Sequence, residues 1–154
     1  KGYYALAFPE FGAERRGAPV TAYNRIAEKV VYDRSPVLNP DIVVVLDSSM
    51  VGREVLYGLK KGGLVVANTV RKPSELAEIL GRDYMYAAIN ATKIALDVFR
   101  LPIVNTAMTA ALAAASRLVD LEHLVDAVRS RFGARLASLN ELVLRKAFEL
   151  TEVG

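Results

Sequence analysis

Three continuous apolar runs organise the chain: DIVVVLD (41–47), GLVVANT (63–69) and YMYAAIN (84–90). Runs this long, apolar at both alternating positions, predict strands covered on both faces. Each is followed by apolar residues at helical spacing. The first helix is expected from about Ser49 to Leu59, with Met50, Val51, Val55 and Leu59 on one side. KKGG (60–63) would end it, with glycine suited to the left-handed position. The second, KPSELAEILG (72–81), is expected to carry a Ser74 cap, with Leu76, Ile79 and Leu80 inward and Gly81 as its stop. The third is ATKIALDVF (91–99). Three strand–helix units in succession predict a mostly parallel α/β sheet.

The flanks follow other periods. YYALAF (3–8) and APVTAYNRI (18–26) are rich in aromatic and β-branched residues and predict two strands. Only about ten residues separate them, too few for a parallel crossover, so they are expected to pair antiparallel. After residue 104 the pattern is helical. Asn105 is expected to cap TAMTAALAAAS, with Met108, Ala111, Leu112 and Ala115 as its stripe. Asp120 is expected to cap a helix with Leu121, Leu124, Val125, Val128 and Phe132 inward, closed by Gly133. The last helix, about 134–150, places Leu136, Leu139, Val143, Ala147 and Leu150 on one face. Leu142, Leu144 and Phe148 widen its apolar arc. The fold class is therefore α/β, Rossmann-like and three-layered, with an antiparallel strand near the N-terminus and a helical segment at 105–151. Such a sheet normally opens with a strand, a glycine-rich loop and a helix. None stands ahead of YYALAF, so the domain spanning 1–154 is expected to be N-terminally incomplete.

Composition narrows the function classes. The 154 residues contain no cysteine, which excludes disulfides, Cys-ligated zinc and iron–sulfur ligation by this sequence. One histidine leaves little for a His-based metal site or a Ser/His triad. His123, in DLEHLVDAV, reads as a surface helix position. The net charge of +3 is spread along the chain without a basic block, so no nucleic-acid partner is expected. No apolar run approaches the ~20 residues that span a bilayer. With no N-terminal signal pattern, a cytoplasmic protein without membrane contact is expected. A mean hydropathy of +0.24 leaves two readings open, an Ala/Val-rich core or apolar surface kept for partner subunits. The absence of glutamine leans toward a thermophilic source.

Candidate chemistry gathers at two places. Asp47 ends the first buried run, where a dinucleotide-binding fold puts a ribose-binding acid, or where a carboxylate caps the next helix with Ser48 or Ser49. Asn68 and Thr69 follow the second run at the same sheet edge, as ligand groups or as turn residues. The second place is the loop FPEFGAERRGAPV (8–20). Pro9 and Gly12 force the chain out of its strand, and Gly17 and Pro19 lead it back. Glu10, Glu14, Arg15 and Arg16 are expected to pair reciprocally. Exposed ion pairs contribute only ~0–1 kcal/mol each, so stability is a poor reason for this composition. Adjacent arginines in a stiff loop suit bidentate recognition of carboxylates or phosphates, which favours a docking or anion-binding loop over an ordinary charged turn.

Taken in order, FPEFGAERRGAPV, DIVVVLD, GGLVVANT, INATKIALDVF and PIVNTAM resemble the gamma subunit, or gamma domain, of 2-oxoacid:ferredoxin oxidoreductases. The resemblance covers nearly the whole chain. It implies a noncatalytic subunit of an enzyme that oxidatively decarboxylates a 2-oxoacid, pyruvate first among the choices, with coenzyme A, and passes electrons to ferredoxin. It implies alpha, beta and delta partner subunits that hold thiamine diphosphate, Mg and the Fe–S clusters, none of them bound by this chain alone. The family's loop motif falls on Pro9, Glu10, Gly12, Glu14, Arg15, Arg16 and Gly17, and a second motif on Asn105, Thr106 and Met108. For these the resemblance implies subunit docking and shaping of the coenzyme A approach. The family's opening GRGGQG-like segment is absent here, so no contact of that segment is carried over. The alternative is a stand-alone Rossmann-type nucleotide-binding oxidoreductase domain, which needs a G-x-G-x-x-G turn that these residues do not supply.

Overall fold

The structure is a computed structural model that describes residues 2–10 and 20–154. The chain divides into two compact units, Lys1–Leu38 and Asn39–Gly154.

The first unit is built on an antiparallel ribbon of β1 (Tyr4–Pro9) and β2 (Ala22–Ala27), in register from Tyr4 opposite Ala27 to Pro9 opposite Ala22. Both strands alternate exposed and half-buried positions, the period-2 pattern of a pleated ribbon. Phe8 and Tyr23 pack at its end with ring centroids 5.5 Å apart and planes tilted by 41°. Beyond β2 the chain is tied back by Arg25. Its Nη2 donates to the Ser35 carbonyl at 2.8 Å and lies 3.3 Å from Asp33.

The second unit carries a four-stranded sheet of β3 (Ile42–Val45), β4 (Leu64–Asn68), β5 (Met85–Ile89) and β6 (Glu152–Val153), in that order. β3, β4 and β5 run parallel, and the short β6 returns antiparallel against β5. Alternation along the strands sorts their side chains into two cores. Leu64, Val66, Ala87 and Ile89 face α2 (Ala91–Phe99), α3 (Asn105–Ser116), α4 (Leu121–Arg131) and α5 (Ala134–Leu150). Val45, Val65, Ala67, Tyr86 and Ala88 face Leu59 and the buried side of α1 (Pro73–Leu80). The mostly parallel α/β sheet, the antiparallel pair near the N-terminus and the helical C-terminal segment are as the pattern predicts.

Several local expectations are corrected. The helix expected from Ser49 to Leu59 is two 3₁₀ turns, Ser48–Met50 and Arg53–Leu56. Gly52 between them is extended, at φ −148° and ψ 177°, and breaks the run that Met50, Val51 and Val55 imitate. Met50 is left exposed. The KKGG turn persists. Gly62 takes φ +76°, and a Cβ on Gly63 would lie 2.6 Å from the Leu59 side chain. α1 begins at Pro73 with Lys72 in the capping position, and Glu75 accepts the Lys72 N–H at 2.7 Å, so Ser74 is not its cap. Pro73, Leu76 and Leu80 form its buried stripe, and Ile79 lies on the flank, 41% exposed.

The C-terminal helices shift in the same way. Val104, not Asn105, holds the capping position of α3, and Asn105 is its first helical residue. Ala107, Met108, Ala110, Ala111 and Ala113 are all buried. The helix is thus enclosed on more than a stripe, because alanine lets α5 and the sheet approach closely. α4 stops at Arg131, leaving Phe132 outside it and partly exposed. α5 buries Ala137, Asn140, Val143, Leu144 and Ala147, while Leu136 and Leu150 are exposed. Its inward face is therefore rotated from the expected one, and includes a polar residue.

Candidate functional site at the carboxyl edge of the sheet

Parallel β3, β4 and β5 bring their carboxyl ends to one edge, where ligands bind in open α/β sheets. Two crevices open there. One, of about 360 Å³, is lined by Leu46, Asp47, Ser48, Asn68, Thr92 and Val104 among others. It joins two of the sequence candidates, Asp47 and Asn68, and reaches the residue before a third, Asn105.

Asp47 serves the first 3₁₀ turn. Its Oδ1 accepts from the Ser49 N–H at 2.9 Å and from Ser49 Oγ at 2.7 Å. These two bonds hold its carboxyl below the usual aspartate range, so it is ionised at neutral pH. Asn68, only 3% exposed, is a clasp. Its Nδ2 donates to the Leu46 carbonyl at 2.8 Å and to Thr92 Oγ1 at 2.9 Å, and its Oδ1 accepts the Thr92 N–H at 3.3 Å. One amide thereby ties the end of β3 and the start of α2 to β4. Thr69 Oγ1 accepts the Arg71 N–H at 3.2 Å, which shapes the turn leaving β4.

The second crevice, of about 290 Å³, lies between the exits of β4 and β5. Thr69, Arg71, Lys72, Asn90, Lys93 and Glu152 are among its lining residues. Asn90 caps α2 by accepting the Lys93 N–H at 3.0 Å. Lys93 Nζ is 2.8 Å from Asp97, whose carboxyl the lysine holds below its ordinary range.

The remaining candidates are dispersed. Asn105 is exposed, and its Oδ1 accepts the Thr106 N–H at 2.9 Å. Thr106 turns inward, its Oγ1 donating to Asn140 Oδ1 at 2.7 Å, and Met108 lies in the core at 2% exposure. In the first unit Pro9 ends β1, and Glu10 accepts the Tyr23 hydroxyl at 2.8 Å. That bond, with lesser help from desolvation, raises the Tyr23 pKa. Gly12, Glu14, Arg15, Arg16 and Gly17, with their expected ion pairs, lie outside the described residues.

Sequence reasoning passed over Thr92, Arg71, Lys93 and Asn140. The position of Thr92 and Lys93 in the first turn after a buried strand was the available signal for two of them. Asn140 offered none, since a lone asparagine among leucines reads as surface.

Residues 1–150 match the family model for pyruvate ferredoxin/flavodoxin oxidoreductase. The pyruvate/ketoisovalerate oxidoreductases common subunit gamma of Pyrococcus abyssi is 43% identical over 155 residues, covering 99% of this chain and 84% of the relative. Pyruvate synthase subunit PorC of Methanothermobacter thermautotrophicus is 41% identical, covering 98% and 81%. The crystal structure of pyruvate oxidoreductase subunit PORC from Thermotoga maritima matches with a TM-score of 0.85 at 33% identity, covering 99% of this chain and 83% of that one. The keto/oxoacid ferredoxin oxidoreductase gamma subunit from Geobacter sulfurreducens, at 24% identity and a TM-score of 0.71, covers 96% and 80% and shares the fold. An edge-built α/β unit, an N-terminal antiparallel ribbon and a match along nearly the whole length converge on one result: the chain belongs to the pyruvate ferredoxin/flavodoxin oxidoreductase family, as one of its gamma-subunit members.

Proposed function

We propose that the chain works as one noncatalytic gamma module of a 2-oxoacid:ferredoxin oxidoreductase. That enzyme would decarboxylate pyruvate oxidatively with coenzyme A and deliver the electrons to ferredoxin. The observation that carries this reading is the identity of 43% across 99% of the chain with a gamma subunit common to pyruvate and ketoisovalerate enzymes. The chemistry of the side chains supports the division of labour. The sequence has no cysteine to ligate an Fe–S cluster. Thiamine diphosphate, its Mg and the clusters are assigned, by the family resemblance, to alpha, beta and delta partners.

The gamma chain's own task is assembly and shaping of the thiamine diphosphate site and the coenzyme A approach. Pro9, Glu10, Gly12, Glu14, Arg15, Arg16 and Gly17 are assigned to docking. Asn105 is assigned there as well, with Thr106 holding the start of α3. The test is anaerobic affinity isolation of the tagged chain from its own cells, followed by 2-oxoacid- and coenzyme-A-dependent reduction of a viologen dye. Iron–sulfur partners and dye reduction are expected, and the oxoacid that works names the substrate. A chain recovered alone and inactive would overturn the reading. Arg15→Ala/Arg16→Ala variants that assemble and turn over normally would remove the loop from it.

A further inference from the structure

The antiparallel ribbon of the first unit turns an uncharged, apolar face outward. Cross-strand partners share a face, so Ala5 and Ile26, Ala7 and Asn24, and Pro9 and Ala22 stand together on one side. All six are exposed. The other side carries Leu6, Phe8, Tyr23 and Arg25, each half-buried. The alternation is therefore present without its usual sense, because the open side is no more polar than the covered one. No described residue of the first unit is buried, and Val20, Tyr32 and Leu38 are 68%, 84% and 76% exposed. A two-stranded ribbon is marginal in water unless something covers a face.

The face itself defines what can cover it. Its three alanines let a facing surface approach the ribbon backbone closely, and with no charge to pair, that surface must be apolar. Asn24, opposite Ala7 at the centre, is the one polar side chain there and calls for a single hydrogen-bonding group. Area decides against a second copy of the chain. Two strands of six residues, at about 3.3 Å per residue and about 4.8 Å between strands, give a face of roughly 200 Å². A stable pair needs about 800 Å² from each side. The occupant must therefore close around the ribbon and not merely lie on it.

We infer that this ribbon face seats in an apolar, uncharged cleft of a partner subunit of the oxidoreductase, with Ala7 at the centre of the contact. The inference rests on the gamma-subunit reading and extends its docking role from residues 9–17 to the strands that carry them. The chain has no cysteine, so Ala7→Cys gives it a single thiol, small and apolar enough to keep the face as it is. The test isolates the enzyme anaerobically with this variant as its tagged chain and follows maleimide labelling of the chain's own peptide by mass spectrometry. Labelling should be slowed roughly tenfold or more in the assembled enzyme relative to the chain alone. Tyr57→Cys, at a side chain 94% exposed in the second unit, should be labelled alike in both. Ala7→Glu would bury an unpaired carboxylate and should recover roughly tenfold less partner per chain than wild type. Equal labelling of Ala7→Cys in the enzyme and in the chain alone would overturn the inference, as would full assembly of Ala7→Glu. Equal slowing of Tyr57→Cys would also overturn it, by revealing general shielding. Protection that grows in the chain alone as its concentration rises would give the face to a second copy instead. A wild-type chain recovered without partners would overturn the gamma-subunit reading together with this inference, whereas the labelling and assembly outcomes remove the inference alone.

Discussion

Asn68 and Thr92 exchange two hydrogen bonds, Nδ2 to Oγ1 at 2.9 Å and main-chain N–H to Oδ1 at 3.3 Å, joining the end of β4 to the first turn of α2. Asn68 also holds the Leu46 carbonyl. Asn68→Ala leaves these groups without their partner at a buried position, and should cost about 2–3 kcal/mol in chemical denaturation. Asn68→Asp keeps the shape but turns an acceptor toward the Leu46 carbonyl oxygen. Its loss of stability should shrink as the pH falls and the new carboxyl takes up a proton. A pH-independent loss for Asn68→Asp would show that shape, and not hydrogen bonding, explains the position.

Met108 separates structure from docking within the second sequence motif. It is buried among α3 neighbours and the sheet, so Met108→Ala should destabilise by about 2–5 kcal/mol. Met108→Leu, close in volume, should cost less than ~1.5 kcal/mol. Equal and small effects from both, read from thermal melts, would contradict a core role.

The ion pairs between α4 and α5 give the acid limb of stability a definite origin. Arg145 bonds Glu122 at 2.8 Å and Glu141 at 2.9 Å, and Arg129 bonds Glu141 at 2.8 Å. These bonds hold both glutamates below their ordinary value of 4.5. Depressed folded-state values mean the contribution is fully present above that ordinary value and disappears as pH falls through the lower, folded one. Arg145→Met should therefore flatten the fall of Tm with acidification. Parallel acid limbs for the two proteins would show that the network is silent.

Arg117 closes α3 in the left-handed region, at φ 56° and ψ 19°. A side chain there costs about 1 kcal/mol that glycine avoids, partly offset by the greater freedom of glycine in the unfolded chain. Arg117→Gly should raise the melting temperature slightly. A clear drop would mean that the arginine makes a contact worth more than its backbone strain.

The pattern of the sequence made the central sheet readable because both faces of β3, β4 and β5 meet apolar cores, so their runs stand out without alternation. The link from Ser48 to Leu59 misled for a related reason. Met50, Val51, Val55 and Leu59 repeat with helical spacing, but the extended backbone at Gly52 divides them into separate turns. In α5, Asn140 is buried at 7% exposure because it serves Thr106 and the Leu136 carbonyl, a pairing across 34 residues that no local pattern records. The site edge was half legible. Asp47, Asn68 and Thr69 were placed at it by strand ends, whereas the cationic crevice required knowing which way the chain turns after each strand.

β4 is buried throughout. From Leu64 to Asn68 every residue is buried, and no other described element is closed along its full length. Its main-chain ladders to β3 and β5 are shielded by both cores at once, so they open only when the whole second unit does. Amide exchange at Val65, Val66 and Ala67 thus reports the global stability of that unit. The Thr92 amide, one bond from the same clasp but at its rim, reports how often the ligand edge breathes on its own.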